Sequence, residues 1–309
     1  MKSDVLAYAF FQGKIVPIEE ARLPINTNAL QYGTAVFGGM RGYYSSKDNY
    51  VSVFRIDEHN KRFLSAIRIL GCEFMYGADE LREIAISLLE KNNPKTDVYF
   101  RPFAYVGNTE LGPNLANTTL DYALYMIPLG EYLPVDAGLS VGVSSWRRIS
   151  DNTIPPRAKI TGAYINSALA RKEAADHGYD EAIMLNDRGL VCEGSAENIF
   201  IVRDGVLITP GVSDDILEGI TRKSLMQVAD DLGIPVEVRS IARSELYVCD
   251  EAFFSGTGVQ VAWIGKIDGR LVGDGKKGKI TGLLQEKFFK IVRGEDAKYE
   301  GWCTKVKMK

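Results

Sequence analysis

Two side chains in this sequence stand where covalent or acid–base chemistry could be built. Lys159 closes the run Pro155-Pro156-Arg157-Ala158-Lys159, in which two prolines fix the incoming backbone and Gly162 permits a tight start to the next element. A lysine amine held this way can condense with a carbonyl or move a proton, provided desolvation or a nearby positive charge keeps it neutral when needed. Glu193, in Glu193-Gly194-Ser195, offers a carboxylate beside a glycine. Three further features suit an anion. Gly219-Ile220-Thr221 places backbone amides and a hydroxyl at a predicted helix start, where the helix dipole favours negative charge. Ser255-Gly256-Thr257-Gly258 is a predicted strand-end turn whose glycines allow close backbone approach. Arg62, on a predicted helix, adds a guanidinium. Taken singly each is a common folding device, and most lysines are solvated surface residues. At this level a phosphate site and an ordinary set of turns both stay open.

The chain has two histidines, His59 and His177. That scarcity excludes His-rich metal centres and argues against a Ser-His-Asp hydrolase, so any proton chemistry falls to a lysine, a carboxylate or a bound cofactor. His177 ends an amphipathic run in Asp176-His177-Gly178, where a cation suits the helix dipole and the role is structural. Cys72, Cys192, Cys249 and Cys303 are widely spaced, with no zinc-knuckle pattern and no disulfide framework. No metal site is expected.

The elements that must position these groups read as follows. Ala7–Phe11 and Lys14–Pro17 flank a Gln12-Gly13 hairpin turn in an opening stretch of strands and turns. Asp57 is expected to cap a helix reaching Leu70, with Phe63, Ile67 and Leu70 on one face, and a second helix covers Ala78–Lys91. Strands follow near Val98–Val106 and Leu120–Ile127. Pro128, Gly130, Pro134 and Gly138 then interrupt the pattern. Beyond them a helix over Gly162–His177 is followed by strands near 181–185, 190–193, 199–203 and 206–209, with Asp204-Gly205 as a hairpin turn. A helix opens at Gly219 and ends at Gly233, more strands follow near 236–240, 251–255 and 261–267, and Lys279–Arg293 closes with a helix. Strands and helices are mixed without strict βαβ alternation, so the fold class is α+β in two lobes. The expected division is a small N-terminal α/β domain at 1–128, a linker at 129–138 and a larger, barrel-like domain at 139–309.

Bulk properties agree with an ordinary globular enzyme: 309 residues, 46% hydrophobic, 25% charged and a formal net charge of −3. Nothing here attracts nucleic acid or an anionic membrane, since the basic cluster Lys276, Lys277 and Lys279 sits among glycines as a loop. No apolar run is long enough to span a bilayer, and Met1-Lys2-Ser3-Asp4 lacks a signal-peptide layout, which points to the cytoplasm.

Across longer stretches the sequence resembles the class IV pyridoxal-phosphate-dependent aminotransferases. The resemblance is carried by Glu193-Gly194-Ser195-Ala196-Glu197-Asn198-Ile199-Phe200, by Leu207-Ile208-Thr209-Pro210, and by Leu217-Glu218-Gly219-Ile220-Thr221-Arg222. Ala29–Phe37, Gly39-Met40-Arg41, Tyr99-Phe100-Arg101-Pro102, Gly178–Ala182 and Phe254–Thr257 are similar to the branched-chain amino acid branch of that family. The resemblance implies pyridoxal 5'-phosphate as cofactor and assigns roles. Lys159 would be the catalytic residue, forming the Schiff base and then shuttling the proton between Cα and C4′. Glu193 would pair with the pyridine nitrogen and Tyr164 with the phenolic oxygen. Arg62, Gly219, Ile220, Thr221, Gly256 and Thr257 would hold the phosphate end, which gathers the three separate anion features into one purpose. Amino acids and 2-oxo acids would be the partners, in ping-pong transamination of Leu, Ile or Val with 2-oxoglutarate.

The same resemblance implies one pocket for an apolar side chain and for the γ-carboxylate of glutamate. Tyr32, Phe37, Gly39, Tyr99 and Tyr132 would line it, Arg41 and Arg101 would meet the side-chain carboxylate, and the Thr257 and Gly258 amides the α-carboxylate. Two departures stand out. Gly38 occupies a position where the branched-chain enzymes usually carry glutamate, and Gly258 and Gln260 replace commoner residues after Thr257. Gly38 keeps D-amino acid or (R)-amine transamination open, and aminodeoxychorismate lyase is a further alternative within the family. A non-catalytic relative is disfavoured by the joint presence of Lys159, Glu193, Tyr164 and the phosphate set. The resemblance further implies a homodimer or a higher homo-oligomer built from dimers.

Overall fold

A computed structural model describes residues 5–130 and 138–309. The chain divides into two compact units, one comprising Met1–Gly130, Ala158–Gly162 and Lys290–Lys309, the other Glu131–Arg157 and Ala163–Phe289.

The first unit opens with strands β1 (Tyr8–Phe11) and β2 (Lys14–Pro17). Gln12 and Gly13, at φ 46° and 85°, form the predicted turn, whose positive angles match the twist of the hairpin. Helix α1 (Asn28–Tyr32) leads to β3 (Ala35–Phe37), β4 (Met40–Ser45) and β5 (Tyr50–Phe54). Helices α2 (Ile56–Leu70) and α3 (Ala78–Asn92) follow, then β6 (Val98–Tyr105) and β7 (Asp121–Pro128). The strand Cys303–Lys307 pairs antiparallel with β5 and forms one edge of a sheet that continues β5-β4-β6-β7-β1-β2, with β3 also on β6. Phe63, Ala66 and Ile67 of α2, and Leu81, Ala85, Leu88 and Leu89 of α3, share one buried core with Val51, Val98, Phe100, Leu124 and Met126 of the sheet. Each of the larger apolar side chains among them contributes about 1.5–3 kcal/mol by leaving water. The helix start expected at Asp57 is corrected: α2 begins at Ile56, and its N-cap is Arg55 in the left-handed conformation with no side-chain cap bond. Asp57 instead sits in the first turn, where a carboxylate suits the dipole, 2.5 Å from Arg82.

The second unit contains β8 (Leu139–Arg147), α4 (Tyr164–Asp176), β9 (Glu181–Leu185), β10 (Val191–Gly194), β11 (Asn198–Arg203) and β12 (Val206–Thr209). It continues with α5 (Ile220–Asp231), β13 (Val236–Val238), β14 (Glu251–Gly256), β15 (Gln260–Ile267), β16 (Arg270–Leu271) and α6 (Lys279–Val292), whose last residues count with the first unit. Its strands run β10-β9-β8-β15-β14-β11, and β10 pairs with β11 again, closing a six-stranded ring. Alternate strand residues including Val141, Ile183, Val191, Ile199, Ile201, Phe254, Ala262 and Ile264 fill a core of their own. This barrel-like lobe and the mixed helix–sheet content agree with the α+β expectation.

Two segments expected in the larger domain, 158–162 and 290–309, belong to the first unit. The physical reason is backbone pairing: Cys303–Lys307 completes the sheet through β5, and Ile160 bridges Val36. No described helix is long and apolar enough to cross a membrane.

Candidate active site

Lys159 sits in a short stretch of first-unit backbone. The Phe37 N–H donates to Lys159 O at 3.2 Å, Gly162 N–H to Gly33 O at 3.2 Å, and the Thr161 hydroxyl to Gly33 O at 2.8 Å. Gly33 has φ 65°, and a Cβ there would fall 2.6 Å from Gly162 Cα, so the approach requires glycine. Lys159 itself has φ 47°, a conformation that costs a non-glycine residue about 1–2 kcal/mol. Strain of this kind persists where surrounding contacts hold it, and the result aims the amine: Nζ lies 5.0 Å from the Phe37 ring centroid.

Around that ring the first unit gathers more of the expected residues. The Arg101 guanidinium stacks 4.8 Å over Phe37 and 5.0 Å over Tyr99, and an Arg101 N–H reaches the Tyr99 hydroxyl at 3.3 Å. Arg101 Nε is buried without an acceptor. The Tyr99 hydroxyl packs against Gly39, where a Cβ would lie 1.8 Å away. Phe37, Gly39, Tyr99, Arg101 and Lys159 thus form one contact cluster, in which aromatic rings carry a guanidinium and an amine. Gly38 donates its N–H to Pro102 O at 2.9 Å, and a Cβ at 38 would lie 2.7 Å from Pro102 Cγ. The missing carboxylate at this position therefore goes with close packing on Pro102.

Two expected wall residues are engaged elsewhere. Arg41 is 3% exposed and donates to Leu129 O at 3.0 Å and Gly130 O at 2.8 Å, with Asp97 at 3.9 Å. Its guanidinium clamps the end of β7. The Tyr32 hydroxyl accepts from the Gly112 N–H at 3.1 Å and ties α1 to the loop after β6. Tyr132 lies outside the described residues.

Arg62 is half-buried on α2, one turn beyond His59. Burial above all, then the charges of Arg62, Arg55 and Lys159, holds the His59 pKa well below its usual range, so the imidazole is neutral. Its Nδ1 is buried with no hydrogen-bond partner. A neutral imidazole amid three cations marks a place where positive charge is concentrated.

In the second unit Glu193, 4% exposed, accepts from donors on both carboxylate oxygens. Asn198 Nδ2 lies 2.8 Å and the Leu217 N–H 3.1 Å from Oε2, while Arg148 Nη2 lies 2.8 Å from Oε1. Asn198 is reached because β10 and β11 place it opposite Glu193. It also donates to Leu217 O at 2.9 Å, fixing the turn that enters α5. Gly219 is the N-cap of α5, with no side-chain cap bond and no acidic residue in the first turn. A Cβ at Gly219 would fall 2.1 Å from Asn198 Oδ1. Ile220 and Thr221 are buried in that first turn. Arg222 anchors the helix to β12 through Thr209 Oγ1 at 3.1 Å and Pro210 O at 2.8 Å. Gly256 ends β14, Thr257 and Gly258 lie in the turn to β15, and Tyr164 is the half-buried first residue of α4.

Arg148 and Asn198 are functional candidates that the sequence reading did not single out. Asn198 was signalled by its place in Glu193-x-x-x-x-Asn198, whereas nothing in the spacing pointed to Arg148. Among the described residues no group of His, Cys, Asp or Glu could hold a metal ion.

Comparison with known proteins bears on this geometry. The description of the amino-transferase class IV family matches residues 35–267. A probable branched-chain-amino-acid aminotransferase of Aquifex aeolicus is 47% identical over 307 residues, 99% of each chain. The crystal structure of a branched-chain aminotransferase from Thermoproteus uzoniensis with norvaline superposes at a TM-score of 0.93 with 42% identity, covering 98% of this chain and 99% of that one. A branched-chain amino acid aminotransferase from Thermobaculum terrenum in its PLP form gives 0.94 with 36% identity, covering 99% and 100%. A family match across most of the sequence, joined to these near-full-length likenesses, establishes that the chain belongs to the class IV aminotransferases.

Proposed function

We propose that this protein is a branched-chain L-amino acid:2-oxoglutarate aminotransferase that uses pyridoxal 5'-phosphate. The observation that carries the substrate class is the wall around Phe37, where an apolar aromatic face and the Arg101 guanidinium adjoin the Lys159 amine. Such a wall accepts a leucine side chain by burial and a glutamate side chain by charge. The relatives described as branched-chain aminotransferases support the same reading.

The residues fit the cofactor. The uncapped first turn of α5, without acidic residues, suits a phosphate dianion, as does the cationic surrounding of the unpartnered His59 Nδ1. Pyridoxal phosphate, when bound, supplies an electron sink that acidifies the Cα–H of the amino acid. Lys159 would hold the cofactor and would serve as the amine that moves the proton of the substrate Cα. Glu193 would pair with the ring nitrogen, a charge-assisted contact worth about 1.5–3 kcal/mol. Tyr164 would donate to the phenolic oxygen. Arg62 and the amides of Ile220, Thr221 and Thr257 would hold the phosphate end, with Gly219 and Gly256 allowing close approach. Arg101 would meet the side-chain carboxylate, and the Thr257 and Gly258 amides the α-carboxylate.

Hydride reduction of the holoenzyme followed by peptide mapping is expected to find the cofactor on Lys159, and adduct on another lysine, or none, would refute the assignment. Rates with L-leucine, D-alanine and (R)-1-phenylethylamine test the substrate class, because Gly38 removes a carboxylate common in the branch. L-leucine should be the best of the three. If it is the poorest, D-amino acid or (R)-amine transamination replaces this reading.

The protein is further proposed to assemble at least as a homodimer, in the cytoplasm. An apolar groove of about 570 Å³ in the first unit, lined by residues including Phe11, Leu23, Leu30, Phe103 and Tyr125, supports the first point. The free thiols of all four cysteines support the second. Sedimentation of Leu30→Glu beside the parent tests the assembly, with a shift to monomer expected.

A further inference from the structure

Arg148 follows directly on β8, and its N–H donates to Leu185 O of β9 at 2.8 Å, so its backbone is fixed by the barrel. The residue is 6% exposed, and its Nη2 lies 2.8 Å from Glu193 Oε1. Nε and Nη1 are buried with no acceptor. An arginine in this state is expensive: it has left water, yet two of its donor nitrogens gain nothing in return. Buried ion pairs are poor devices for stability, since well-packed apolar side chains do as well or better. The position is therefore better explained by what the charge does to its partner.

The two oxygens of Glu193 are treated differently. Oε2 accepts from two neutral donors, the Asn198 amide and the Leu217 N–H, which set the orientation of the carboxylate. Oε1 meets the full charge of Arg148. A cation at this distance favours the ionised carboxylate over the acid, and the planar guanidinium cannot itself give up its proton.

We propose that Arg148 is a positioning residue for transamination, which keeps Glu193 ionised so that the proton shared with the cofactor stays on the ring nitrogen. The inference rests on the reading that Glu193 faces that nitrogen. Without Arg148, the proton passes from the ring nitrogen to the Glu193 carboxylate. The pair becomes neutral acid and neutral ring, with no net gain or loss of protons, and the ring is a weaker electron sink.

The test uses holoenzyme loaded with pyridoxal phosphate carrying ¹⁵N in the ring, whose chemical shift reports protonation independently of turnover. The parent is expected to show a protonated ring from pH 6 to pH 9. Arg148→Gln is expected to move the signal most of the way to the deprotonated value, with kcat lowered about tenfold or more and KM for L-leucine changed only a few-fold. Arg148→Lys keeps a charge without the rigid fork, and should show a protonated ring at pH 6 that loses its proton by about pH 9. A parent-like, flat titration in folded Arg148→Gln overturns the proposal. If that variant fails to fold, the same flat titration in Arg148→Met, which also lacks the charge, overturns it. A deprotonated ring in the parent instead sinks the assignment of Glu193, and the two failures are thereby told apart.

Discussion

One amide group, that of Asn198, joins Glu193 to the entrance of helix α5: Nδ2 lies 2.8 Å from Glu193 Oε2 and 2.9 Å from Leu217 O. The carboxylate and the helix start therefore share a tether. Asn198→Ala should leave a buried carboxylate short of a donor, at about 1–3 kcal/mol. Gly219→Ala attacks the same tether from the other side, since its Cβ would lie 2.1 Å from Asn198 Oδ1. Both variants should melt several degrees below the parent and bind pyridoxal phosphate about tenfold more weakly, as equilibrium dialysis would report. Parent-like affinity in both would show that the tether has no bearing on the cofactor.

Arg101 offers a separate test of the dual pocket. Arg101→Met keeps length and apolar contact with Phe37 but removes the charge that stacks on that ring at 4.8 Å. KM for 2-oxoglutarate should rise about ten- to a hundredfold, corresponding to a lost charged hydrogen bond, while L-leucine changes only a few-fold. Half-reaction kinetics read the two substrates separately. Equal losses for both would mean that Arg101 shapes the pocket without meeting the γ-carboxylate.

Glu197 gives a pH dependence with a definite sign. It is buried, accepts the Ala196 N–H at 3.0 Å, and its pKa is pushed up to about 8, first by burial and next by the Glu181 carboxylate. The folded state thus keeps a proton that the unfolded chain releases near the ordinary value of 4.5. The favourable contribution is complete below that ordinary value and drains away as pH rises towards 8. Glu197→Gln carries no such proton. Its stability relative to the parent should therefore increase between pH 5 and pH 8, by about 1–3 kcal/mol. Melting curves at several pH values decide this, and a constant difference would show that Glu197 is ionised in the fold.

Gly38 tests whether the departure from the usual glutamate is a matter of packing. A Cβ there would lie 2.7 Å from Pro102 Cγ. Gly38→Glu alone should cost about 1–3 kcal/mol through overpacking, and Pro102→Ala should relieve part of that cost in the double variant. Additive losses in denaturant melts would rule out the contact as the cause.

Much of the local structure was legible in the sequence. Lys159, Glu193 and the α5 entrance lie in contiguous runs that carry the family resemblance, and the Gln12-Gly13 and Asp204-Gly205 turns follow from local chemistry alone. What escaped depends on distant pairing. Arg148 means little until β8 and β10 bring it to Glu193. The strand Cys303–Lys307 is short and lysine-rich, with no apolar signal until β5 offers its edge. Arg41 has a structural use that its motif did not announce, since it also holds the Leu129 and Gly130 carbonyls. Asp57 looked like a cap because aspartate often is one, yet Arg55 takes that place with backbone geometry.

The pairing of Cys303–Lys307 with β5 has a bearing on biosynthesis. The edge at Tyr50–Phe54 emerges from the ribosome early, but its neighbour is made only after the whole barrel has been translated. At about 5–20 residues per second, that edge waits on the order of ten seconds or more with an exposed row of unpaired amides and carbonyls. The barrel also waits, but only until β15 reaches β8, and β15 is translated before Cys303–Lys307. Nascent chains should therefore acquire protease resistance first in the later half of the sequence, and the earlier half should remain a client of chaperones until its distant partner arrives.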